Sequence, residues 1–533
     1  MGRFHAAFQL AYNAVFGAAS FLLSPDANAW WPLFGAVGFL SLALFSWGVG
    51  VYLNSARIGG LVFVAIMSGV TVNLDGHLFD TWPSLEVCFA FWGAGLACER
   101  EAAPSRAWAA LFYFLAICLG NEEMVLFVLG LAGGRVLAFR RTKGRKDLAK
   151  ECAAPVLGGL LFVLCFLAFR HWFPPTYEGS VLSLQQPWHS FLAWRNISLS
   201  ELPAYDFFRL LVRHGGHFAS FILSFAWHPG WMAVLLGFTA LCVAAGRYLL
   251  RWEEGEGEAP PERRTALAWG LLLGVLVSNV PLAFTSKYRE WYRSAHHGFY
   301  YTYSFYGYAA LCVLAVLLFW KIRHGARVPQ RWKKMAPALL LAFLALNAVS
   351  STFSSRYYLA KIVRLRGYWS LFESLVSHEA EIFPDNRVCH VVAPQFAILP
   401  GMTWLNAYWE AKASLCARRK GLPPPGKIDF IEKPPERRQP GESYYLLHID
   451  DSLSDPFQGR AVLWLAPLPP GFPGQAVRGP VWLFADPMGG SGVNRRAYPQ
   501  AAGGFRETEL SPGGKTIRLD DFTGDPAQWA FHS

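Results

Sequence analysis

Charge is scarce in this chain. Only 16% of its 533 residues are Asp, Glu, Lys or Arg, against about 25% in an ordinary soluble domain, which excludes a soluble enzyme and a disordered regulator. The sequence also has no Walker A, GxSxG, HExxH or CxxC motif, so the common nucleotide, serine-hydrolase, zinc-protease and dithiol chemistries have no foothold in it. No run of intramembrane charge resembles a voltage sensor or proton relay, and no inverted repeat with matching Gly- or Pro-broken helices points to a transporter. No cleavable signal peptide is expected from residues 1–30, since Arg3 alone makes a poor positive n-region.

What is present instead is apolar. Hydrophobic residues make up 53% of the chain, and uncharged runs such as 230–246 and 266–284 recur between residues 30 and 350. Each is about long enough to cross ~30 Å of hydrocarbon as a helix. The composition predicts a polytopic α-helical membrane protein with about 9–11 membrane helices. The net charge of +11 does not imply nucleic acid, because the cations cluster between the apolar runs. Segments 140–150 and 321–334 carry six Lys or Arg each, and 247–264 carries four Arg among several Glu. The positive-inside rule places all three in the cytoplasm, so that the chain leaves the membrane outward after the run 335–353. Segment 4–23 reads either as a polar-faced span or as an amphipathic helix on the outer leaflet, with His5, Gln9 and Asn13 on one face.

Composition changes after residue 354. Pro and Gly rise, apolar runs shorten to strand length, and charges mix in sign. The expected domains are a multi-span membrane domain over 1–354, an amphipathic linker helix over 355–385 and an extracytoplasmic α/β domain over 386–533, with strands near 387–393 and 443–449 and a helix near 402–418. Two of the nine cysteines, Cys389 and Cys416, fall in that domain, where an oxidising compartment permits a disulfide.

The outer loops concentrate chemistry. Eight of the ten His in residues 1–350 fall in or beside them, together with aromatics that also suit a membrane-interface belt. Loop 285–303 holds Lys287, Arg289 and Arg293 on the side where insertion disfavours cations. They suit either a lipid-linked phosphate or plain anionic headgroups. His296, His297 and Tyr300 stand beside them as candidate pocket residues, as does His77 between Asp75 and Asp80 in loop 74–81. Asp75, Asp80, Glu122 and Glu123 lie at helix breaks. Breaks at membrane depth line cavities, so these acids are candidates for a general base or for holding a divalent cation such as Mg or Mn against a phosphate, and helix capping is the alternative for at least one of Asp75 and Asp80.

The segment GRFHAAFQLAYNAVFG, the short helices interrupted by GNEEM, the long outer loop after Pro174-Pro175 and the exit segment SSRYYLAKIVRLRGYWSLFESL together resemble the GT-C superfamily of polytopic membrane glycosyltransferases. The likeness covers most of residues 1–380 and is one of layout and loose pattern. It implies transfer of a sugar from a polyprenyl-phosphate donor to a glycan, lipid or protein acceptor of the cell envelope, on the outer face of the membrane, and the richness in Ala, Gly, Pro and Arg points to a bacterial cytoplasmic membrane. Under it, Lys287, Arg289 and Arg293 match the family's phosphate-binding cations, and Glu122 or Glu123 its later-loop acid. The family's first-loop acid precedes a stretch similar to GRFHAAFQL, with which this chain begins, so no first-loop catalyst is carried over. A catalytically inert envelope scaffold is the competing expectation, and a lipid-linked glycan transporter a weaker one.

Overall fold

The computed structural model describes residues 31–70, 83–99, 103–120, 123–172, 186–199, 201–213, 221–223, 228–252, 260–285, 289, 305–383, 388–392, 406–423, 428–431, 438, 441–450, 462–470, 475–485, 504–510 and 516–524. The chain divides into two compact units, Met1–Leu359 and Ala360–Ser533.

The first unit is helical. Its longer elements are α1 (Trp31–Tyr52), α2 (Ala56–Val70), α3 (Pro83–Cys98), α4 (Ala103–Leu119), α5 (Glu123–Phe139), α6 (Arg145–Trp172), α7 (Pro187–Leu199), α8 (Pro203–Arg213), α9 (Pro229–Arg251) and α10 (Pro261–Ser278). A one-turn helix α11 (Val280–Ala283) follows, then α12 (Phe305–His324) and α13 (Gln330–Ser377). Six helical stretches among the described residues are long and apolar enough to cross a membrane, and three shorter apolar helices accompany them. The chain is thus a polytopic membrane protein with a small C-terminal sheet domain. A single helix, α13 (Gln330–Ser377), covers both the run 335–353 and most of the linker helix expected over 355–385.

Close backbone approach holds the helices together, as lipid-soluble helices require when their exteriors are no more apolar than the solvent. Helices α5 and α10 each carry a GxxxG spacing, Gly130/Gly134 and Gly270/Gly274. A methyl group on Gly130 would lie 2.6 Å from the Gly270 carbonyl oxygen, and one on Gly134 would overlap the Ala266 carbonyl. Gly48 of α1 meets Gly93 of α3 in the same way. Around these seams sits one core that includes Phe45, Phe89, Trp92, Phe127 and Tyr306. Leu157, Leu160, Leu164 and Leu167 of α6 and Leu236 and Leu241 of α9 stay exposed, the pattern of a lipid-facing surface.

The helix ends sort into two ends of the bundle. At one, Arg57 donates to the Leu250 carbonyl and lies 5.1 Å from the Trp320 ring, Arg323 donates to the same carbonyl at 3.4 Å, and Arg135 and Arg263 each lie 6.0 Å from the Tyr52 ring, so that the cationic turns after α5 and α12 belong to this end. At the other, Tyr308 donates to Ala65 at 2.8 Å, and Ser351 donates to Ser68 at 3.0 Å.

The second unit contains the last part of α13, a short helix α14 (Glu379–Ile382), β1 (Cys389–Val392), α15 (Asn406–Arg419), β2 (Ile428–Ile431), β3 (Ser443–Asp450), β4 (Val462–Pro467), β5 (Val477–Ala485), β6 (Arg506–Glu509) and β7 (Thr516–Gly524). The seven strands form one sheet in the order β2-β1-β3-β4-β5-β7-β6. Strands β2, β1 and β3 are parallel, and the remaining pairs are antiparallel. Leu371, Leu375 and Val376 of α13 pack on one face of the sheet with Val391, Leu447 and Phe484. Gly479, at φ +115°, sits at a register shift in β5, where a β-bulge needs a backbone open to positive φ. Cys389 is buried in β1 and Cys416 is half-buried on α15, and the two are not joined by a disulfide in this structure.

Candidate functional site

The end of the bundle away from the cationic turns holds a buried acid that the sequence did not single out. Glu201 lies in the link between α7 and α8 and is 2% exposed. Helix α7 places it. Ala193 and Ile197 pack against Leu282 and Ala283, and the Trp194 indole donates to the Leu276 carbonyl at 2.9 Å. Pro203 then opens α8 at a position where a missing N–H costs nothing.

Opposite Glu201, α10 ends at Ser278 and the chain turns through Asn279 into α11, whose Pro281 removes a donor the helix would need in order to continue. The freed Asn279 side chain is fully buried and donates from Nδ2 to Glu201 Oε1 at 2.6 Å and to Ser198 Oγ at 3.2 Å. Helix α12 closes the third side. A methyl group on Gly307 would overlap the Glu201 carboxyl, so at this position only glycine lets the acid lie flat against the helix.

The cluster has spare polar capacity. Glu201 Oε2, Asn279 Oδ1 and Ser278 Oγ are buried without a hydrogen-bond partner among the described residues. Burial holds the Glu201 carboxyl well above the usual carboxylate range, and the Asn279 hydrogen bond offsets this only in part. Unused buried acceptors are costly, and where they persist they call for an explanation such as a ligand.

Two expected residues come to the same end. Glu123 is 4% exposed and starts α5, just past the break at Gly120, where an acid meets the positive end of the helix dipole. Phe127, one turn further on, lies 6.4 Å from Tyr306 and abuts Gly274. Tyr306 and Gly307 are neighbours in the first turn of α12, so that turn lies between the Glu123 helix and Glu201. Arg289 is 7% exposed, and its backbone N–H donates to Thr285 at 3.0 Å, just beyond α11. Asp75, His77, Asp80, Glu122, Lys287, Arg293, His296, His297 and Tyr300 lie outside the described residues. Sequence reading missed Glu201 and Asn279, whose only signals were an acid in a long aromatic loop and an Asn-Val-Pro helix break.

Among the described residues no group of three His, Cys, Asp or Glu is placed to hold a metal ion. Glu201 already accepts a hydrogen bond from the Asn279 amide, a setting for a proton-carrying acid more than for a metal ligand. The arrangement can take up or release a proton at Oε2 in a water-poor setting. Comparison with protein-family models, with curated proteins and with solved structures gave no match.

Proposed function

We propose that the chain is a membrane glycosyltransferase that moves a sugar from a polyprenyl-phosphate-linked donor to an acceptor hydroxyl of the cell envelope. In this reading the cationic turns face the cytoplasm of a bacterium, as the positive-inside rule demands. The Glu201 end and the C-terminal unit are then extracytoplasmic. The observation that carries the proposal is the unsatisfied Oε2 of a buried acid, because a carboxyl with a raised pKa is a stronger base toward an incoming hydroxyl once ionised.

Glu201 first gives up its own proton to solvent, and the ionised carboxylate then takes the acceptor hydroxyl's proton at Oε2 as the acceptor oxygen attacks the anomeric carbon. The bond from that carbon to the lipid phosphate breaks, and the phosphate leaves with the electron pair. Arg289, with Lys287 and Arg293, neutralises it. Asn279 orients the carboxyl. Glu123 is a second carboxylate at that end and would hold the acceptor. A divalent cation, if bound, would add charge neutralisation at the phosphate.

The test is transfer from a labelled polyprenyl-phosphate sugar by the purified protein in nanodiscs. Glu201→Gln should bind the donor and fail to transfer it. Equal turnover by the variant removes Glu201 from the chemistry, and an inability of the wild type to bind any such donor leaves the inert scaffold as the better reading.

A further inference from the structure

A second site lies at the opposite end of the bundle. Between α10 and α12 runs a groove of about 600 Å³. Its walls are apolar, with Trp269 and Leu272 from one helix and Leu314 and Leu318 from the other. Trp269 and Leu318 are 45% and 59% exposed, so the groove is open along its side. At its cationic end the lining consists of Arg264, Lys321 and His324, and none of the described lining residues is acidic. His324 is held by stacking on Trp320, with ring centroids 4.5 Å apart.

The positive-inside rule explains cations at helix ends in general. It does not explain why the side chains between them, Trp269, Leu272, Leu314 and Leu318, leave an apolar groove open along its side that ends on those cations. A molecule with an anionic head and an apolar tail fits both features at once. A phosphate between Arg264 and Lys321 gains charge-assisted hydrogen bonds from both cations. The tail covers surface that would otherwise stay open.

We propose that this groove binds one anionic phospholipid, with its phosphate at Arg264 and Lys321 and an acyl chain along Leu272, Leu314 and Leu318. The proposal is independent of the glycosyltransferase reading, because it concerns other residues and another end of the bundle.

The experiment is thermal unfolding of the purified full chain, delipidated in neutral detergent and then supplied with phosphatidylglycerol, phosphatidylcholine or inorganic phosphate. Phosphatidylglycerol should raise the midpoint by several degrees, and the other two should raise it little. The double variant Arg264→Gln, Lys321→Gln should lose most of that shift. So should Leu318→Trp, which fills the groove from its exposed side while leaving the charges in place, and which keeps the test decisive if the double variant does not fold. An equal shift with phosphatidylcholine overturns the headgroup assignment, and an undiminished shift in both variants overturns the site. No shift with either lipid, the result if apolar residues 4–23 cover the groove, overturns it as well.

Discussion

The two ends of the helical bundle bury acids in different company. At the cationic end, Glu99 pairs with the Arg135 guanidinium, which also donates to the Glu151 carbonyl at 2.6 Å and lies 6.0 Å from the Tyr52 ring. Lys143 donates to the Glu151 carboxylate at 2.6 Å. At the other end Glu201 has only the Asn279 amide, and no cation reaches ion-pair distance of it among the described residues. A buried charge met by an opposite charge is a structural tie. A buried acid met by a neutral amide, with one oxygen unused, spends stability on something other than the fold.

The contrast breaks most sharply at Arg135. Arg135→Ala strands the Glu99 carboxylate inside the bundle and should cost about 3–5 kcal/mol, read from denaturant unfolding in detergent. Replacing both partners by apolar residues of similar volume should recover most of that loss. If the single variant unfolds like the wild type, the pair is not the tie described.

Glu201→Gln should do the reverse. The amide keeps the volume and the neutrality of the protonated acid, so unfolding should shift by less than about 1 kcal/mol. Transfer should fall by roughly 10²–10⁴, the usual worth of a positioned base. Loss of stability without loss of transfer would make Glu201 structural and erase the difference between the two ends.

The glycine seam between α5 and α10 joins the two ends and sharpens the contrast between them. Gly134, toward the cationic end, meets the backbone of Ala266 and Gly270, whereas Gly274, toward the other, meets the Phe127 ring. A side chain can turn aside and a backbone cannot, so Gly134→Ala should cost about 1–3 kcal/mol and Gly274→Ala less. Thermal midpoints of the two variants decide it, and equal losses would show a seam of uniform stiffness.

Much of the bundle was legible because lipid enforces a simple rule, an apolar run of fixed length between polar breaks. The runs at 30–53, 230–250 and 335–353 appear as α1, α9 and part of α13, and α4 ends at Leu119 before α5 begins at Glu123. The sheet domain was legible only in part. Strands β1 and β3 are short apolar runs, while β5 to β7 hide among Gly, Pro and charged residues, their pairing set by partners far along the chain. The site was least legible. Glu201 and Asn279 stand 78 positions apart, no motif ties them, and the acid gains its character from a burial that the aromatic composition of its loop does not announce. Glu123 and Arg289 stood out in the sequence because each is a charge where the membrane disfavours one.

The smallest expected effect is a slope. Burial raises the folded-state pKa of Glu201 above its unfolded value, which for a free glutamate is about 4.3. A group raised in this way contributes its full stabilisation below the unfolded pKa and loses it as pH rises through the folded one, because the native state then has to give up a proton it holds more tightly than the unfolded chain does. Wild-type stability relative to Glu201→Gln should therefore decline as pH increases from the acid side toward neutrality and beyond. The amide cannot titrate, so the variant supplies the baseline, and all other groups cancel in the difference. Unfolding midpoints of both proteins across that range give the measurement. A difference that grows with pH would mean that the native state favours the carboxylate, which requires a cation at Glu201 and makes the two ends of the bundle alike.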